Sequence, residues 1–234
     1  SGTSVTVYEL SESQVATGKN FPSQISDNKG TFEINNVGLV SEYVLVKADG
    51  FYFNEVANET SAAQLTLYAL SDLTDKKILN VNVLSTLEKG RVEYLVSGGK
   101  TFVEAKEQAQ AEILGIFEIS KPDISESEKL DITATGDDNA ILLAISVILQ
   151  GHLPVAELSE LIANISNDMK EDGVLTDPIS GEKLIFNAHK LEPAQIRKNL
   201  ENRYKALNMN VTIPDFEKYI RQFIENSDFQ FNAL

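Results

Sequence analysis

The chain has 234 residues, 42% of them hydrophobic and 24% charged, enough for one large domain or two modest ones with a substantial core. Its net charge of −15, from 35 acidic and 20 basic side chains, disfavours nucleic acid and anionic membrane surfaces as partners. With no cysteine, disulfides, thiolate metal sites and cysteine nucleophiles are excluded, and with only two histidines a zinc site would rest on carboxylates.

The first third reads as β. Val5 and Val7 alternate with Ser4, Thr6 and Tyr8 in SVTVYEL. Asp27-Asn28-Lys29-Gly30 reads as a polar turn leading into a strand with Phe32 and Ile34. Tyr43 and Leu45 then alternate with Val44 and Val46, and Asp49-Gly50 reads as a turn because glycine tolerates positive φ. AQLTLYAL adds another alternating strand. Short strands with regularly spaced turns predict a small antiparallel β-sandwich over residues 1–76.

The hydrophobic period changes near Asp75–Lys77. Leu84, Leu87, Val92 and Leu95 predict a helix with Asn82 as its cap, weakened by Gly90 and ended by Gly98-Gly99. Thr101-Phe102-Val103-Glu104 is a capping box, and Phe102, Ala105, Ala109, Ile113 and Ile116 form one apolar stripe behind it. Residues 120–136 read as a polar connection. Pro154, Pro193 and Pro214 each open a further helix, and DGVLTDPISGEKL reads as loop. The predicted fold class is α+β, a small antiparallel β-sandwich followed by an α-helical bundle domain over residues 77–234.

The stretch GDDNAILLAISVILQG is the most marked. Its apolar run Ile141–Leu149 is about half the ~18 residues that a membrane span needs. Asp137, Asp138 and Asn139 lack the alternating spacing of a calcium loop, so they read as an acidic helix entry. The helix behind them is apolar on every face and is expected to be the hub of the bundle.

Candidate chemistry is sparse. No metal site, cofactor or catalytic residue is expected. Neither His152 nor His189 sits in a catalytic motif. Gly98-Gly99-Lys100-Thr101 ends like a phosphate loop, but Tyr94 stands where its first glycine belongs. In GFYFNEV, consecutive aromatics on a strand point to opposite sides, so one of them leaves the sandwich core. Tyr52, Asn54 and Glu55 are therefore the candidate ligand-binding residues, for stacking on a sugar or peptide. The alternative is that this aromatic packs on the helical part.

Asp27, Gly30, Phe32, Tyr43, Leu45, Ala48, Gly50 and Phe51 together resemble the carboxypeptidase-regulatory-like (transthyretin-like) module. GFYFNEV, with NVNVLSTLEKGRVEYLV and AKEQAQAEIL, resembles a family of uncharacterised exported lipoproteins of Gram-negative gut anaerobes. That family often has Thr-His where this chain has Ser85-Thr86, so any role of the histidine is absent here. The resemblance implies a periplasmic or outer-membrane surface address, with a lipid anchor upstream of Ser1 on a leader trimmed from this segment. It implies no catalytic residues.

Three functional readings follow. The first is a non-catalytic binding or scaffold module whose partner is a surface protein or glycan. The second is a glycan- or peptide-binding accessory protein using aromatics near Tyr52. The third is a carboxylate-based hydrolase.

Overall fold

Alternating valines on adjacent strands make the sheet. The structure is a computed structural model that describes residues 3–229, apart from 26, 28, 35–37 and 77. Asn28 of the expected turn and Lys77, the expected start of the second segment, lie outside the described residues. The strands are β1 (Ser4–Leu10), β2 (Ala16–Gln24), β3 (Tyr43–Gly50), β4 (Phe53–Asn54), β5 (Glu59–Thr60) and β6 (Leu65–Asp72). Four of them form one antiparallel sheet in the order β2-β1-β3-β6, and β4 pairs only with β5. In register, Val7 faces Val46 and Val46 faces Ala69.

The architecture is α+β, a small antiparallel sheet followed by helices. Among the described residues the only strands outside this sheet are the β4–β5 pair. The Val5, Val7, Val44 and Val46 face of the four-stranded sheet packs against Phe21, Ile25, Phe32, Ile34, Leu79 and Val81. The opposite face, with Leu10, Leu45 and Leu70, packs on helices α1 (Val83–Ser97) and α2 (Phe102–Ile116). Helices thus supply the layer that a second sheet would supply in a sandwich.

Several expectations change in detail. Phe32 and Ile34 cover the sheet without forming a strand. β2 was not expected, because ATGKNFPSQ carries Gly and Pro and stays largely exposed, as an edge strand does. Gly50 ends β3 without a positive φ; a Cβ there would collide with the Thr3 side chain, so close approach explains the glycine.

Both predicted caps form. Asn82 Oδ1 accepts from Ser85 N at 3.0 Å, and Asn82 N donates to Ser85 Oγ at 3.0 Å. At α2, Thr101 N donates to Glu104 Oε2 at 3.0 Å, and Glu104 N donates to Thr101 Oγ1 at 3.3 Å. The rest of the helical part comprises α3 (Asp137–Gln150), α4 (Val155–Asp168), α5 (Pro178–Lys190), α6 (Pro193–Ala206) and α7 (Glu217–Asn226). α5 replaces the expected loop: Asp177 caps it through the amides of Ile179 and Ser180, and Pro178 occupies its first turn. The last helix begins at Glu217, three residues beyond Pro214.

α3 is the hub. Every residue from Ala140 to Leu149 except Ser146 is buried, and the helix touches α1, α4, α5 and α7. Among the described residues no single helix is long and apolar enough to cross a membrane. α3 and α4 meet that test only as a pair bent by 115°. The cap of α3 is Gly136, not an aspartate side chain. Asp138 instead accepts from Ser125 N and Oγ, both at 2.9 Å, and Asp137 accepts from the Tyr219 hydroxyl at 2.8 Å and pairs with Lys218. These carboxylates fasten two neighbouring segments to the start of the hub.

Candidate functional site

Tyr52, Asn54 and Glu55 lie on and beside the small hairpin of β4 and β5. Ser61 N donates to Tyr52 O at 2.8 Å, and Asn58, with φ of 59°, turns the chain. Asn54 Oδ1 accepts from Ala57 N and from Gln150 Nε2, both at 2.7 Å. Asn199 Nδ2 donates to Glu55 O at 2.8 Å, and Gln195 holds the Asn199 side chain at 2.7 Å. The hairpin is thus clamped between the end of α3 and the first half of α6. Asn54 and Glu55 are buried, and Tyr52 is half-buried against the main helical core. This placement is the packing alternative for the aromatic; the exposed ring of the stretch is Phe51. Burial pushes the Glu55 carboxyl up to about 7. Burial, with the Glu55 charge nearby, also raises the phenols of Tyr52 and Tyr204.

A second constellation was not singled out from the sequence. Glu88 of α1, Lys106 of α2 and Glu128, from the 3-10 turn Ser127–Lys129, meet where all three are buried. Lys106 Nζ lies 2.7 Å from Glu88 Oε2 and 2.9 Å from Glu128 Oε2. Only the Glu88 contact is a well-directed hydrogen bond; Glu128 Oε2 has the charge contact without one. Glu128 Oε1 accepts from Ser71 Oγ of β6 and from Lys76 Nζ, both at 3.1 Å. The Ser127 hydroxyl donates to Glu88 and accepts from Gln110 Nε2 at 3.1 Å.

Opposing forces set the charges in this network. Burial works to raise Glu128, but Lys106 and Lys76 overcome it and hold the carboxyl at about 2. Burial works to lower Lys106, yet the two carboxylates raise it, so it stays an ammonium. Burial dominates at Glu88 and raises it. Each charge in the network is answered by another.

The network floors a groove of about 1090 Å³ between α2, the 119–129 segment and the connection after β6. Two rows of α2 line it: Phe102, Lys106 and Gln110 lie deep, while Val103, Glu107 and Ala111 are exposed. Their spacing of four residues puts each row along one side of the helix. Gly115 continues the outer row, and a Cβ there would meet open space. A smaller cavity of about 400 Å³ lies between β6, α1 and α4, with Tyr68, Lys89 and Lys170 on its walls.

Ser85 and Thr86, which stand where the resembled family has Thr-His, serve the edge of β6. Tyr68 N donates to Thr86 Oγ1 at 2.9 Å, and the Ser85 hydroxyl donates to Tyr68 O at 2.8 Å. They replace a strand partner and close that edge. His152 is exposed in the turn after α3, and His189 lies in the last turn of α5, a helix where a turn-rich stretch was expected. Among the described residues no group of three or more histidine, aspartate or glutamate side chains is placed to hold a metal ion. No protein-family model, curated protein or solved structure matches the chain.

Proposed function

We infer that the chain is a non-catalytic binding module and that the groove along α2 receives its ligand. The observation that supports this reading is the groove's floor. Its buried charges are committed to one another, so it offers a shaped, mixed surface without a free catalytic group. The ligand class that fits is an extended peptide segment. From Phe102 to Gly115, α2 runs about 20 Å, the reach of roughly six extended residues. Apolar side chains stand towards both ends, Phe102 and Val103 at one and Leu114 and Ile119 at the other, with Lys106 and Gln110 between them. The pattern suits a segment that places apolar side chains at its ends and backbone polar groups at its middle. The reading also carries the address that the resemblance implies, a partner met at the outer face of the cell.

The test is selection from a displayed library of random hexapeptides. Enriched sequences are expected to lose binding to Gly115→Trp, which fills the groove, and to Val103→Glu, while both variants keep the native melting temperature. A library without enrichment, or hits indifferent to both substitutions, would overturn the assignment.

A further inference from the structure

We propose that the β4–β5 hairpin is a protonation-controlled latch, docked between α3 and α6 while Glu55 is protonated and loosened when Glu55 ionises. The site is built for a neutral acid. Glu55 is buried in the body of the protein, and its backbone carbonyl is held by Asn199 while the neighbouring Asn54 is held by Gln150. Both clamps are neutral amides. Gln150 is the last residue of α3, so the hairpin meets the negative end of that helix, which opposes a second negative charge.

The groups around the carboxyl agree. On the hairpin itself the titratable neighbour is Tyr52. α6 contributes Tyr204, whose hydroxyl donates to Ile132 O at 3.2 Å, and Asp131 acts on the same phenol. Arg203, also on α6, stands 5.0 Å over the ring of Phe53, and among the described residues no cation figures in the shift of Glu55. α3 offers Gln150, a neutral amide that bonds Asn54 and also acts on the Glu55 carboxyl, against the larger effect of burial. Ionisation therefore places an anion among amides, phenols and a carboxylate, where hydrogen bonds from the Glu55 backbone and the Gln150 side chain offset only part of its lost hydration. Undocking restores water to the carboxylate at the cost of uncovering Tyr52 and Val56, which pack on the helical core.

Amide hydrogen exchange of the native chain and of Glu55→Gln tests the latch. The reporters are Ala57, Asn58 and Ser61, whose amides are bonded within the hairpin. With an open-state carboxyl near 4.5 and a docked one near 7, protection in the native chain is expected to fall about 30-fold between roughly pH 5.5 and 8.5, after correction for intrinsic exchange. The amides of α2 are expected to keep theirs, and in Glu55→Gln the hairpin is expected to stay docked at both pH values. An unchanged native hairpin, or an equal fall in both proteins, would overturn the proposal. Should Glu55→Gln fail to fold, carbon-13 titration of the native Glu55 carboxyl decides: a midpoint near 7 supports the latch, and one near 4.5 overturns it.

Discussion

Lys106 Nζ lies 2.7 Å from Glu88 Oε2, joining α2 to α1 at a point where both side chains are buried. The same ammonium answers Glu128, and Glu128 in turn is tied to β6 through Ser71 and to the connection after it through Lys76. One cation thus sits at the seam where sheet, connection and helices meet. Removing it leaves two buried carboxylates facing each other. Lys106→Ala is expected to cost about 3–5 kcal/mol, the usual penalty for breaking one side of a buried ionic network. Urea denaturation measures this, and a loss under about 1 kcal/mol would mean that the network is well hydrated.

Acid should reveal Glu128. Its folded carboxyl is held below the ordinary value, so its contribution is complete above pH 4.5 and is lost as pH falls towards 2. That dependence amounts to about 3 kcal/mol. Glu88 runs the other way, because burial raises it. Comparing stability against pH for the native chain and Glu128→Gln separates the two. The variant is expected to show a flatter decline between pH 4.5 and 2.

Two glycines should respond oppositely to alanine. Gly115 has open space where a Cβ would go and sits in a regular helix, so Gly115→Ala is expected to add up to about 1 kcal/mol. Gly151 has φ of 46°, and a Cβ there would strike the side chain of Asn187, which donates to Ile148 O at 2.9 Å. Gly151→Ala is expected to lower stability by more than about 1 kcal/mol. Thermal melts of the two variants check both signs.

The two halves of the marked stretch should also separate. Ile145 is fully buried at the centre of the hub, and Ile145→Asp is expected to unfold the helical part. Asp137 is partly exposed and does not cap α3; it holds Tyr219 and Lys218. Asp137→Ala is expected to cost only about 1 kcal/mol. Burial raises the Tyr219 phenol, and the bond to Asp137 raises it further, so the variant's Tyr219 should ionise at lower pH in an ultraviolet titration.

Much of the local structure was legible. The cap at Asn82 and the box at Thr101 are contacts three residues apart, which a sequence displays directly, although the return bond between Asn82 N and Ser85 was not expected. The hub was legible because Ile141–Leu149 leaves no polar face. α5 was not, because Pro178 and Gly181 read as loop punctuation. The proline occupies the first turn, where it is harmless, and the glycine lets the Phe229 ring come close. The clamp on the hairpin was hidden too: Asn54, Glu55, Gln150 and Asn199 share no spacing that marks them as neighbours.

By itself, the sequence determined that strands precede helices, most helix starts, the buried hub and the α+β class, since each of these is written in short-range periodicity and capping. Only the tertiary structure decided that helices serve as the sheet's second layer, that Glu55 lies inside and not at a surface, and that Ser71, Lys76, Glu88, Lys106 and Glu128 converge. Burial and charge pairing depend on which distant segments pack together. Chain closure brings residues up to 145 positions apart, Asn54 and Asn199, into one clamp, and no local pattern encodes that distance.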